Sequence, residues 1–262
     1  MTLSTVERAI KIIQYVTFNE REVGTSETAK LLNTSRSSAH RFLKTLSTLG
    51  LLRKDEATGK FGTGPELYRL AAALFSSNSL LQAARPLMNE LAQRTGEAVF
   101  LCLRSGDRGI FVDRVSSRHE LQYVVPLGEV VHMHAGAGGQ SILAWLPEDE
   151  IERILGKDLP RYTANTVTDP EALHEDLQTA RSQGYVVTHG QRVEGGVGFG
   201  APIFDARNQV IGSLLLSIPE SRVEDHEPIP EIGRYVREVA DRISLRLGGA
   251  QPLKGSNAKT PG

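Results

Sequence analysis

Residues 25–50, TSETAKLLNTSRSSAHRFLKTLSTLG, constrain this chain more than any other stretch, because they predict two short helices joined by a tight turn, the second studded with Arg, Ser, His and Lys. The first helix carries Thr28, Ala29, Leu31 and Leu32 inward, and small Ala29 sits where crossing helices come close. Asn33 follows, a residue that tolerates the left-handed backbone of a sharp interhelical turn. Ser35 offers a side-chain oxygen as the N-cap of the second helix. Ala39, Phe42, Leu43, Leu46 and Leu49 fall on one face of that helix, and Ser37, His40, Arg41, Lys44 and Thr48 on the other.

A DNA major groove admits one helix whose front half presents donors to base edges while its flanks meet phosphates. Arg36, Ser37, Ser38 and His40 are the base-reading candidates, and Arg41 and Lys44 suit phosphate contacts. A helix hairpin with a solvated polar face is the plainer alternative for the same pattern. After Gly50, LLRK and KFGTG read as two short strands around the turn DEATG, with Gly59 supplying a positive φ. Arg53, Lys54 and Lys60 decorate this wing and suit the sugar-phosphate backbone. Upstream, Ser4-Thr5-Val6-Glu7 reads as a capping box opening a helix with Val6, Ile10, Ile13 and Val16 on its buried side.

The chain's net charge of −1 hides an asymmetry. Residues 1–76 hold 11 Lys and Arg against 7 Asp and Glu, a net +4, and the remainder holds 19 against 24, a net −5. Positive charge is concentrated beside the helix-turn-helix pattern, as phosphate neutralisation requires. At 262 residues, 40% hydrophobic and 23% charged, the chain has the size and composition of a two-domain globular protein. The apolar runs LAAALF and IGSLLLSI are too short to span a bilayer, and the N-terminus lacks the apolar core of a signal peptide, so a cytoplasmic location and no membrane partner are expected. The single Cys102 excludes an internal disulfide.

Pro65 to Phe75 opens with Pro and continues through an Ala-rich run, which predicts a linker helix over residues 65–78. SSNS interrupts it, and LLQAARPLMNELAQRTG resumes a helix with Leu81, Ala84, Leu87, Met88 and Leu91 at helical spacing, ended by Gly96. AVFLCLRSG and RGIFVDRVSS predict a hairpin, ELQYVVPLG a strand and SILAWLPEDEIERIL a helix. LHEDLQTARSQG reads as a helix ending at Gly184, followed by strands YVVTHGQ, GVGFGAPIFD and QVIGSLLLSI with Asn208 in the last turn. Interleaved without βαβ repetition, these elements predict a mixed α+β sensor domain over 79–247, and the polar residues 248–262 a disordered tail.

Two features of this second domain bear on chemistry. In HMHAGAGG, residues 132–139, His132 and His134 face the same side of a strand, and Asp113 or His119 would have to complete a metal site. Without an assured third ligand the pair reads as buried or interface residues, and neither metal nor cofactor is expected. The loop Gly136-Ala137-Gly138-Gly139 lacks the Lys-Ser/Thr ending of a phosphate-binding loop, and GGVGFG at 195–200 has the wrong spacing for a dinucleotide fingerprint. A bare loop entering a helix can instead offer backbone N–H groups to a small carboxylate, or be a tight turn packed closely.

STVERAIKII, TSRSSAHRFLKTLSTLGLL and GTGPELYRLA in the first domain, with LMNELAQRTGEAVFL, VDRVSS, MHAGAGGQSILAWLP, RYTANTVTDPEAL, GYVV and GAPIFDARNQVIGSLLLS in the second, resemble the IclR family of bacterial transcription regulators over about residues 4–247. The resemblance implies a winged helix-turn-helix domain over 1–64, a linker helix and a GAF-like effector-binding domain. It also implies pairing of subunits as a homodimer or homotetramer, on palindromic operator DNA. It places the effector against backbone groups of Gly136, Ala137 and Gly138, with Thr188, His189, Gly198, Leu215 and Ser217 completing the pocket. His134 matches a common family histidine, whereas His132 stands where proline is frequent. Thr188 and His189 replace a common acidic pair, Gly198 a small thiol-bearing or polar residue, and Leu215 a hydroxyl. Fewer polar anchors imply an aromatic or otherwise hydrophobic organic acid, with apolar walls from Leu215 and from Phe199 or Tyr123.

Three classes of function compete. An enzyme using His132, His134 or Asp113 has no nucleophile elbow, Cys/His signature or complete metal motif behind it. A constitutive architectural DNA binder has no use for a sensor domain. A ligand-responsive regulator uses both halves, with coupling through the Pro65–Phe75 helix.

Overall fold

The computed structural model describes residues 4–123, 125–226 and 228–249, with the backbone alone at Ser77. The chain divides into two compact units between Asn78 and Ser79.

In the first unit, α1 (Thr5–Phe18), α2 (Thr25–Leu31) and α3 (Arg36–Thr48) precede a two-stranded antiparallel wing, β1 (Leu52–Lys54) and β2 (Phe61–Thr63). Ser4 and Glu7 form the predicted capping box. Asn33 at φ 47° makes the interhelical turn and Gly59 at φ +66° the wing turn. The core joins Ile12, Val16, Val23, Leu32, Leu43, Leu46, Leu52 and Phe61. Here α1 departs in part from expectation: Val16 is buried as expected, but Val6 and Ile10 are exposed at 70% and 47%, and Ile12 is buried instead. Both faces have helical spacing, and the residues packed on α1, Leu32, Leu43, Leu46 and Phe61 among them, select between them. Leu49 is 58% exposed because α3 ends one residue earlier and Leu49 is its C-cap. Helix α4 (Pro65–Ser77) closes the unit, with Pro65 in its first turn.

The second unit is one antiparallel sheet in the order β5-β4-β3-β8-β7-β6, from β3 (Ala98–Ser105), β4 (Arg108–Val115), β5 (Val130–His132), β6 (Val186–His189), β7 (Gly196–Phe204) and β8 (Val210–Pro219). Helices α5 (Ser79–Thr95) and α9 (Ile229–Arg246) cover one face, burying Leu87, Leu91, Val236 and Val239 against Val99, Phe199 and Leu216. On the other face α6 (Ala137–Leu143), α7 (Glu148–Leu155) and α8 (Pro170–Gln183) pack over Phe100, Cys102, Phe111 and Leu215.

Three expectations for this unit are corrected. No described residue of 120–128 is in a strand; the pairing with β4 is made instead by Val130–His132. SILAWLPEDEIERIL holds two helices, because Pro147 cannot continue the first and takes the N-cap position of the second. After β8, where no helix is expected, the chain forms α9. Of the tail 248–262, Gly248 and Gly249 close the end of α9 by donating to Leu245 and Ser244, and the rest lies outside the described residues. No described helix is long and apolar enough to cross a membrane.

Candidate functional site

The second helix of the helix-turn-helix pair starts at Ser35, whose Oγ accepts from the Ser38 N–H at 3.2 Å. Ala39, Leu43 and Leu46 hold α3 to its core, which leaves Arg36, Ser37, His40, Arg41 and Lys44 exposed on the opposite side. Ser38 is half-buried, and its hydroxyl lies 3.2 Å from Ser35 Oγ, so it is drawn into the cap. Ser37 Oγ is also within 3.0 Å of Ser35 Oγ. Arg53 and Lys54 are exposed on β1, with Lys54 Nζ 2.7 Å from Glu56 Oε2, and exposed Lys60 precedes β2.

In the second unit, α6 starts against β7 and β8 and leaves a cavity of about 550 Å3, its open mouth included. Glycine eases the backbone at one position of this junction and the packing at another. Gly136 adopts φ +81°, and a Cβ on Gly198 would stand 3.1 Å from Ala137 Cβ and 3.2 Å from Thr188 Oγ1. The loop is held by side chains from distant strands. Thr188 Oγ1 accepts from Ala137 N–H (3.1 Å), Gln191 Oε1 from Gly136 N–H (3.3 Å) and from Gln140 Nε2 (2.9 Å), and Ser213 Oγ donates to the Gly138 carbonyl (2.6 Å). The N–H groups of Gly138 and Gly139, in the first turn of α6, have no acceptor among the described residues. Phe111, Val125, Val131 and Leu215 supply apolar wall, and Tyr123 lies alongside with its hydroxyl donating to the Glu194 carbonyl at 2.9 Å.

The cavity brings together Gly136, Ala137, Gly138, Thr188, Gly198, Leu215 and Ser217, all expected there. It excludes His189 and Phe199. Strand alternation sends Thr188 inward and leaves His189 exposed, and it turns Phe199 into the core under α5 and α9. Sequence reasoning missed Phe111, Gln191 and Arg192. Gln191 and Arg192 follow β6 in a turn, where no periodicity marks a residue as inward-facing, and Phe111 arrives from the far half of the sheet.

The histidines form no metal centre: no group of three or more metal-ligating side chains occurs among the described residues. His132 Nδ1 pairs with the Tyr162 hydroxyl and His134 Nε2 with the Pro160 carbonyl at 3.0 Å. Asp113 is bound to Arg85, and His119 faces Glu97 at 3.9 Å. Burial holds the His134 pKa below its usual range and pushes the Cys102 thiol up to about 12, which disfavours the thiolate.

Residues 5–56 match the IclR helix-turn-helix domain, and residues 72–245 match the C-terminal domain of bacterial IclR transcriptional regulators. The chain belongs to the IclR family. Its relatives include the transcriptional repressor IclR of Escherichia coli K12, 27% identical over 94% of this chain and 91% of that protein. The regulator BhcR of Paracoccus denitrificans is 30% identical over 98% of this chain and 91% of its own length. Among solved structures, Thermotoga maritima IclR superposes with a TM-score of 0.79 at 28% identity, covering 93% of this chain and 98% of that one. An IclR homologue from Microbacterium hydrocarbonoxydans complexed with 4-hydroxybenzoate gives 0.82 at 27% identity, covering 93% and 99%. The protein is therefore a transcriptional regulator with an IclR helix-turn-helix for DNA and the family's α+β C-terminal domain.

Proposed function

We infer that operator binding by this regulator is controlled by a small organic acid with an aromatic or otherwise apolar body, held in the α6 cavity. The observation that carries the reading is the cavity's composition: apolar wall from Phe111, Val125, Val131 and Leu215 faces the bare loop Gly136–Gly139 with its two free N–H groups. An acid would set its carboxylate on the loop and its body on the wall. A two- or three-carbon acid would leave most of that wall uncovered. The bound 4-hydroxybenzoate of the Microbacterium hydrocarbonoxydans homologue supports the same class.

On DNA, Arg36, Ser37 and His40 read base edges from α3, Arg41 and Lys44 meet phosphates, and Arg53, Lys54 and Lys60 grip the backbone beside them. Each pair of chains, in a homodimer or a homotetramer, presents two reading heads to a palindromic operator. Exposed Val6, Ile10, Tyr68, Leu70, Leu74 and Phe75 on α1 and α4 support self-association. The chain works without catalysis, in the cytoplasm, and α4 is the stretch of chain through which occupancy of the cavity is transmitted.

The test uses the purified chain and DNA from upstream of its own gene. Benzoate and 4-hydroxybenzoate should bind in calorimetry and shift the DNA-binding isotherm measured by fluorescence anisotropy. Tight binding of glyoxylate or pyruvate with no binding of either aromatic acid would reject the effector class.

A further inference from the structure

The geometry points to Arg192 as the counter-charge that makes this cavity choose an acid: the effector carboxylate pairs with its guanidinium, in competition with Glu129. The inference rests on the effector reading above and adds a residue that decides specificity. Among the described residues lining the cavity, Arg192 alone is charged. Its stem lies across the loop, since a Cβ on Gly136 would come 3.3 Å from Arg192 Cβ. The guanidinium stands over the Tyr162 ring at 4.9 Å from the centroid, and Nη2 pairs with Glu129.

Nη1 is buried with no hydrogen-bond partner, so an acid meets the guanidinium only as it turns from Glu129 toward the cavity that its stem lines. A buried charged donor without an acceptor is a costly feature for a fold to retain, and an incoming anion relieves it. The side chain keeps only 19% of its surface in solvent, so an ion pair formed there is screened far less than one at the surface. A carboxylate is planar and offers two acceptors, the shape that a guanidinium fork binds best. A neutral amide or ester of the same outline fills the apolar wall equally well but brings no charge to Nη1.

Calorimetry on the full chain with 4-hydroxybenzoate, 4-hydroxybenzamide and methyl 4-hydroxybenzoate tests this. The wild type should prefer the acid by about 30- to 100-fold, the range that a charge-assisted hydrogen bond supplies. Arg192→Met should bring the acid down to the neutral analogues while leaving those unchanged, and Arg192→Lys should recover part of the preference. Glu129→Gln, which releases the guanidinium, should tighten the acid several-fold, and it decides the matter if Arg192→Met does not fold. An unchanged acid-to-amide ratio in Arg192→Met, or no tightening in Glu129→Gln, overturns the role of Arg192 while the cavity reading stands. Wild-type protein that binds none of the three compounds, nor benzoate, overturns both.

Discussion

Gly138 is the position where one added side chain separates a ligand cavity from a tight turn. A Cβ built there would lie 3.2 Å from Phe111 Cζ and 3.5 Å from Leu215 Cδ2. Phe111 is 2% exposed and set edge-to-face against Phe100 at 5.7 Å, so it has little room to retreat, and the two further methyls of Gly138→Val go into the cavity. An aromatic ring that buries about 150–250 Å2 gains roughly 4–6 kcal/mol at ~25 cal/mol/Å2. Losing about half of that contact weakens binding by roughly 2–3 kcal/mol, or about 30- to 150-fold. Overpacking costs the fold about 1–3 kcal/mol, which a unit of this size should survive. Calorimetry with 4-hydroxybenzoate reads the affinity, thermal melting reads the fold, and anisotropy reads operator binding. The expected result is a lost effector response, a modestly lowered melting temperature and intact operator affinity. Wild-type affinity for the acid in Gly138→Val would refute the cavity assignment, and collapse of the whole unit would assign the glycine to packing.

Other perturbations probe the reading head and the fold. Arg36→Ala should cost about 1–3 kcal/mol on the operator and relax base preference, whereas Lys54→Ala, at a side chain now paired with Glu56, should weaken operator and random DNA alike; anisotropy on both DNAs would expose the roles as wrong if the two variants behaved identically. Glu97 is fully buried and holds Arg222 through two bonds of 2.8 and 2.7 Å, so Glu97→Ala strands a guanidinium and should destabilise the second unit by about 3–5 kcal/mol in calorimetric melting. The Arg153 guanidinium, then the Lys157 ammonium, hold the Asp107 carboxyl well below the usual carboxylate range. Because the folded pKa is depressed, that stabilisation is complete above the unfolded value of about 3.9 and disappears as the pH falls toward the folded one. The melting difference between wild type and Asp107→Asn should therefore be larger at pH 7 than near pH 2, and an equal difference at both would contradict the pairing. Cys102, buried and with its thiol pushed up to about 12, should resist iodoacetamide in the native chain at pH 8 and react only on unfolding.

Local physics made much of this protein legible from its residues. Caps, turns and periodicity act over three or four neighbours, so Ser4, Asn33, Ser35, Gly59, Gly184 and Asn208 all mark the boundaries they occupy. The exposed cationic face of α3 follows from the same helical period that buries Leu43 and Leu46. The Gly136–Gly139 loop was visible too, because a positive φ and a close approach both exclude side chains. Tertiary structure decided everything that depends on which of two permitted faces turns inward. It buried Ile12 rather than Ile10, sent Thr188 to the cavity and His189 to solvent, and gave Phe199 to the α9 side of the sheet. Arg192 and Phe111 reach one cavity from segments some 80 residues apart, joined by sheet pairing that no local pattern encodes. The chain's own periodicities state what each segment can become, whereas the partner packed against it selects the face, since burial free energy belongs to the contact and not to the residue.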